Sequence, residues 1–276
     1  MTLRFDHVWK SFATAQNNGR ANGRGKGQRT LQHVVRDVEL TVEPGSFVTL
    51  IGHSGCGKST LLNMAGGMLR ADGGAVVLDG APVTAPGPDR AMVFQQYSLL
   101  PRLSLFENVR TACREARPEW SRNHVGQQVE RCLEAVGLWE HRRKKPGQVS
   151  GGMQQRAAVA RAFAVEPRVL LLDEPFGALD ALTRAQLQTQ LLDLWQNESD
   201  TEIVLMVTHG VDEAILLSDR IVVMGNPPHP SVIEVIDVPL ARPRHPLSLL
   251  DDPQARAIHS HLLRLLGAEQ APVVAA

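Results

Sequence analysis

Residues 3–12, LRFDHVWKSF, and 34–42, VVRDVELTV, alternate apolar and polar positions, the period of a half-buried strand. Between them NNGRANGRGKGQR has no period, only glycine, polar and basic residues, which predicts an exposed, mobile hairpin loop. SFVTLI then runs through a glycine-rich turn into LLNMAGGMLR, strand before helix in the order a parallel α/β sheet requires. AVVLDG and AMVF follow as short strands. From 96 to 166 the period changes: SLFENVRTACREAR and WSRNHVGQQVERCLEAVGL space their apolar residues as helices do. Pro167 ends that stretch, and RVLLLD, EIVLMV and RIVVM return to strands, with TRAQLQTQLLDLWQNE as a helix between the first two. VIEVIDV adds an edge hairpin. The tail, ARPRHPLSLLDDPQARAIHSHLLRLLGA, predicts a proline-rich turn and one amphipathic helix.

The pattern describes an α/β chain with a mainly parallel core at 1–95 and 167–240, whose N-terminal part is antiparallel. A helical subdomain is inserted at 96–166, and a tail with a helix occupies 241–276. No solenoid-length repeat interrupts this order. With 276 residues, 43% of them hydrophobic, the chain can bury a substantial core. Lys and Arg total 29 and so do Asp and Glu, so no net field favours nucleic acid or an anionic membrane surface. The longest apolar runs, VLLLD and IVLMV, are about five residues, far short of the ~20 a membrane helix needs. The MTLRFDHVWK start lacks the apolar core of a secretion signal. Cys56, Cys113 and Cys132 show no metal or disulfide spacing and read as buried thiols of a reduced intracellular chain. Cys56 lies in the glycine turn, where packing is its expected role.

That turn is the first chemical signal. GHSGCGKST, residues 52–60, fits G-x-x-x-x-G-K-[ST]: the backbone of Gly52, His53, Ser54, Gly55, Cys56 and Gly57 turns successive N–H groups toward phosphate oxygens, and the helix that follows adds positive potential. Lys58 would reach the β and γ phosphates of a nucleotide such as ATP, with Thr60 beside the loop, and the Ser59 hydroxyl would hold Mg2+. RVLLLDEP supplies the complement. A buried strand presents Asp173 and Glu174 at its C-terminal end, where open α/β sheets bind ligands. Asp173 suits the Mg2+ sphere and Glu174 the activation of water. Gln95, after AMVF, and His209, after EIVLMVT, also stand at strand ends; Gln95 can coordinate Mg2+ or water, and His209 can contact the γ phosphate.

VSGGMQQR, residues 149–156, opens a second helix behind two glycines. Ser150 as N-cap leaves the N–H groups of Gly151, Gly152 and Met153 free to form another anion site. The plain alternative is a capped helix with glycines chosen for close packing. One loop already surrounds a nucleotide's phosphates, so the second site could serve the nucleotide of another copy, two chains packing head to tail.

GHSGCGKST, Gln95, VSGGMQQR, LLLDEP, GALD and THGVDEA occur in the order and approximate spacing of the ATP-binding-cassette ATPases, which the chain resembles over about 1–240. The resemblance implies a P-loop NTPase, RecA-like, core. It implies that Phe12 stacks on adenine, that Asp180 links the two sites of a dimer, and that 96–166 is the signature-bearing subdomain. The wording GHSGCGKSTLLN, PGPDRAMVFQQYSLLP and PLARPRHP is similar to ATPases of the importers for nitrate, nitrite, cyanate, bicarbonate, taurine and alkanesulfonates, and leans to the nitrate branch. That likeness implies a second ATPase subunit, transmembrane permease subunits, a periplasmic solute-binding protein, and a peripheral place on the cytoplasmic face of the bacterial inner membrane. Val149, Gly210 and Arg102 depart from the family's usual Leu, Asp and Trp. Two rivals fit part of the pattern: a soluble P-loop kinase of a small metabolite, which leaves VSGGMQQR unused, and a cassette ATPase of translation or DNA repair, which usually carries two cassettes or long coiled coils.

Overall fold

The computed structural model describes residues 1–15, 29–177, 179–227 and 229–268. The predicted loop at 17–29 therefore lies almost wholly outside the described residues. Its flanks pair as a hairpin would, β1 (Leu3–Ala15) against β2 (Arg29–Val42) down to Ala15 opposite Arg29. With β4 (Gly73–Leu78) and β5 (Ala81–Pro82) they form an antiparallel sheet ordered β2-β1-β4-β5.

The second sheet contains β3 (Ser46–Gly52), β6 (Arg90–Val93), β7 (Val169–Asp173), β8 (Ile203–Thr208), β9 (Arg220–Met224) and β10 (Val232–Asp237), ordered β10-β9-β3-β8-β7-β6. Every neighbour pair is parallel except β9 with β10, the predicted edge hairpin. The central strands β3, β7, β8 and β9 read as apolar runs because both faces are covered. Val48, Leu50, Val169, Leu171, Leu205 and Val207 pack beneath the antiparallel sheet and α1 (Lys58–Ala65). Phe47, Leu170, Leu172, Val204 and Met206 face the helices α2 (Leu105–Ala116), α3 (Arg122–Ala135), α4 (Gly151–Phe163) and α5 (Ala181–Asp193). Burying a Leu in this way contributes roughly 1.5–3 kcal/mol. Against β3, β9 and β10, α6 (Val211–Leu217), α7 (Pro246–Asp251) and α8 (Pro253–Ala268) close a third cluster around Ile51, Ile221 and Val223.

The inserted helices have strong local starts. Ser104 and Glu107 form a reciprocal capping box on α2, Ser121 caps α3 and Ser150 caps α4. Buried Asn108 accepts from Leu100 N–H and donates to the carbonyls of Leu100, Leu103 and Ser104, pinning the loop that follows Gln95 to α2.

Two elements differ from the periodicity. The helix expected over TRAQLQTQLLDLWQNE is α-helical only to Asp193 and π-helical over Leu194–Glu198. The wider turn buries Trp195 edge-on to Phe47 at 5.5 Å, with the indole N–H donating to Thr201 O at 3.1 Å. The tail carries two helices where one was expected. Asp252 is extended between them and its carboxylate accepts from the N–H groups of Gln254 and Ala255, so it caps α8 rather than continuing α7.

Candidate nucleotide site

Register brings the predicted residues to one edge. Ile51 pairs with Thr208, Asp173 with Val207 and Val93 with Leu172, so Gly52, Asp173, Glu174, His209 and, two residues past β6, Gln95 all leave the sheet at its C-terminal end. The loop between β3 and α1 has no room for a side chain at its pivots. A Cβ on Gly52 would stand 2.3 Å from Met224 O, and one on Gly57, at φ +100°, 2.9 Å from Val34 O. Cys56 is fully buried, the packing role expected of it.

Lys58 is buried, and its ammonium donates to Gly52 O at 2.7 Å and His53 O at 2.8 Å. Carbonyl partners of this kind offset the cost of burying the charge. Ser59 Oγ donates to Asp173 Oδ1 at 2.9 Å. Burial holds the Asp173 carboxyl above its usual range, the Ser59 hydrogen bond opposing and neighbouring Glu174 adding to the rise. Glu174 sits at φ +47°, in the left-handed region that non-glycine residues seldom adopt. Gln95 Nε2 donates to Glu174 Oε2 at 2.9 Å, while His209 Nε2 lies 2.6 Å from Oε1 and its Nδ1 3.2 Å from Gly52 O. Glu174 is thus gripped from both sides.

Of these groups Lys58, Ser59, Glu174 and His209 open onto a cavity of about 350 Å3, lined also by Phe12, Gln32, Val34, Ser54, Gly55, Gly57 and Thr60; Asp173 and Gln95 stand behind that lining, bonded to Ser59 and Glu174. Phe12, 41% exposed, forms its rim opposite Gln32 on β2. Gln32 and Val34 escaped the sequence reading. Their one signal was alternate spacing on the strand facing Phe12, visible only once the hairpin register is known.

Ser150, Gly151, Gly152 and Asp180 are absent from that lining. Ser150 Oγ accepts from Met153 N–H, the N-cap predicted for it, but that bond takes up the Met153 N–H, which was expected to stay free for an anion, because the cap reaches the third residue of the helix. Packing does explain both glycines: a Cβ on Gly151 would stand 2.9 Å from Tyr97 Oη, and one on Gly152 2.6 Å from Thr183 Cγ2. Asp180 caps α5, accepting from Thr183 N–H at 3.0 Å and Thr183 Oγ1–H at 2.7 Å, and these bonds hold its carboxyl below the usual range. Arg161 of α4 donates to Ser98 O at 2.6 Å and Tyr97 O at 3.4 Å. Arg161 thus ties the far end of α4 to the loop leading from Gln95, while at the tip Gly151 lies against Tyr97 of that loop and Gly152 against Leu179 and Thr183 beside Asp180.

A family model for ABC transporters matches residues 35–177, just over half of the chain. This chain belongs to the ABC transporter family. Among similar proteins are the nitrate import ATP-binding protein NrtD of Synechococcus elongatus, 46% identical over 96% of this chain and 91% of that one, and the bicarbonate transport ATP-binding protein CmpD of a Synechocystis species, 44% identical over 95% and 91%. The nitrate transport protein NasD of Klebsiella oxytoca is 45% identical over 86% of this chain and 90% of its own. A solved structure, the dimeric post-hydrolysis state of the ATP-binding cassette MJ0796 bound to ADP and Pi, superposes with a TM-score of 0.70 at 27% identity, covering 87% of this chain and all of the other. This ABC chain is a P-loop ATPase of the transport-coupled kind, as the order of motifs implied. No helix among the described residues is long and apolar enough to cross a membrane.

Proposed function

We propose that this ATPase drives an importer of a small anion, nitrate in the first instance, as one half of a head-to-tail dimer. The observation that carries the catalytic part is the clamped carboxylate, Glu174 held by Gln95 and His209 at the mouth of a cavity that also contains Lys58 and Ser59. On this reading the loop 52–60 cradles the phosphates of ATP, Lys58 adds charge at the β and γ positions, and Phe12 supports the adenine ring. Glu174 accepts a proton from attacking water while Gln95 and His209 fix its direction, the positioning and charge neutralisation that phosphoryl transfer demands.

Mg2+ fits the donors present. Ser59 Oγ and Asp173 Oδ1 are adjacent hard oxygens, and no cluster of three His, Cys, Asp or Glu side chains that could hold a metal occurs among the described residues. A cation bound by one or two protein oxygens, phosphates and water suits such a site. When bound it would offset charge on the β and γ phosphates.

Ser150, Gly151, Gly152 and Asp180 stand apart from the cavity, at a helix start and a capped turn, which supports their use toward the nucleotide of a second copy. A homodimer is the simplest arrangement, and the solved cassette relatives are described as dimeric. The remaining partners are transmembrane permease subunits and, through them, a periplasmic solute-binding protein, with this chain on the cytoplasmic face. Bicarbonate is the second reading for the solute, favoured by the 44% identity to CmpD.

Two experiments test this. Glu174→Gln is expected to accumulate an ATP-bound dimer in size-exclusion chromatography while turnover disappears; a variant that stays monomeric with ATP counts against the dimer. In proteoliposomes with the captured permease and binding protein, nitrate is expected to accelerate ATP hydrolysis. Stimulation by bicarbonate alone reassigns the solute, and phosphorylation of a metabolite instead returns the kinase rival.

A further inference from the structure

The tail helix has no part in the catalytic reading, yet it reaches the phosphate loop. His53 Nε2 lies 2.7 Å from Leu266 O, 213 residues further along the chain. Leu266 belongs to the last turn of α8, where carbonyls lack a partner within the helix and an N–H donor from outside satisfies one of them. The same residue faces the other way through its backbone, since His53 O accepts from Lys58 Nζ at 2.8 Å. A continuous chain of bonds thus runs from the end of α8 through His53 to the ammonium group in the cavity.

The far side of that chain is firmly held. Leu262 and Ala255 are buried against the cluster containing Ile51, the residue before Gly52, and His261 Nε2 meets Glu234 of β10 at 2.9 Å. His259 lies 3.4 Å from Asp212, three residues beyond His209. α8 is therefore anchored beside two of the segments that line the cavity, the phosphate loop and the turn carrying His209.

We propose that His53 is a positioning residue through which the last turn of α8 sets the phosphate loop for ATP; this rests on the reading that residues 52–60 hold the nucleotide's phosphates. His53 fixes the course of the loop at its first turn, and with it the carbonyls that orient Lys58.

The test compares variants of the full chain by the dissociation constant for ATP, the KM for ATP and turnover at saturating ATP. Loss of one hydrogen bond in His53→Leu is expected to weaken ATP binding about 3- to 10-fold with kcat within about twofold. His53→Gln, which keeps a donor at a similar reach, is expected to bind ATP within about twofold of the native chain. A chain ended after Leu263 loses the acceptor but keeps Ala255, Ile258 and Leu262. It should show the same weakening, gain nothing from His53→Gln and lose nothing more from His53→Leu. If the shortened chain fails to fold, the Leu and Gln variants of the full chain decide alone. Unchanged ATP affinity in His53→Leu, a fall in thermal stability without a change in KM, or no rescue by Gln in the full chain overturns the proposal. Lys58→Ala is a separate control: native ATP affinity in that variant defeats the underlying assignment of the loop, whatever His53 does.

Discussion

Gly152→Ala probes the contact between the α4 tip and the Asp180 loop, the two elements assigned to a partner's nucleotide. The added Cβ would sit 2.6 Å from Thr183 Cγ2 and 3.6 Å from Leu179 Cδ2. Carbon pairs settle near 3.5–4.0 Å, so about 1 Å of separation has to open. Overpacking of this size costs about 1–3 kcal/mol, and the better helix propensity of alanine returns about 0.8–1.0 kcal/mol. The net loss expected is therefore about 0–2 kcal/mol, too little to unfold an ordinary domain. The displacement matters more than the energy. Thr183 holds both carboxylate oxygens of Asp180, so moving it moves Asp180.

Thr183→Ser removes the clashing methyl and keeps the hydroxyl that bonds Asp180. Urea unfolding of the two single variants and the double is expected to give a coupling of about 1–3 kcal/mol, with Gly152→Ala harmless or mildly stabilising when Thr183→Ser is already present. ATP turnover should fall about tenfold or more in Gly152→Ala, since a misplacement near 1 Å has large kinetic consequences, and should recover in the double variant. ATP binding by the monomer should stay within about twofold. Additivity of the two substitutions within about 0.5 kcal/mol, or turnover that fails to recover, refutes the contact as the cause.

Other outcomes can be checked independently. Asn108→Leu deletes four hydrogen bonds around Leu100, Leu103 and Ser104 and should cost about 2–4 kcal/mol in urea unfolding, apolar burial offsetting part of the loss; a change under about 1 kcal/mol disproves the pinning role. Burial raises the Glu213 carboxyl above its usual range, against a hydrogen bond from Thr208 and the charge of Arg184. A folded-state pKa above the unfolded one gives stability that is complete below the unfolded value near 4.5 and lost as pH rises through the folded one, so the melting temperature of Glu213→Gln should gain on the native chain from pH 4.5 upward. A difference independent of pH contradicts this. Cys113, pushed up to about 12 by burial and the nearby Cys132, should resist thiol reagents in the native state and react only after unfolding; rapid native labelling would show the site to be open.

The sequence exposed what depends on local period and on motif. Unbroken apolar runs marked the strands covered on both faces, and residues placed after those runs, Gln95, Asp173, Glu174 and His209, had to meet once the strands lay parallel. GHSGCGKST was legible because successive glycines leave few other uses for a strand-to-helix turn. What remained hidden depends on approach between distant segments. Close packing, the alternative raised for Gly151 and Gly152, is met at this tip, where Tyr97 and Thr183 crowd the space a Cβ would take. No spacing rule could foresee that, since it follows from how α4 lies on α5. Trp195 is similar: the wider turn that carries it to Phe47 and Thr201 O answers to contacts with distant segments and has no mark in the local period.

His53 shows the same division inside one residue. Its place in the motif identifies its backbone as part of a phosphate loop, and the motif leaves its side chain unspecified. The fold then fills the open choice from the other end of the chain, with a carbonyl of α8. Positions a motif leaves free are where a chain can attach its own additions to a shared catalytic device. In this ATPase the attachment runs to a helix beyond the 35–177 span matched by the family, so its effect should be a property of this chain and of relatives that carry both the histidine and the helix.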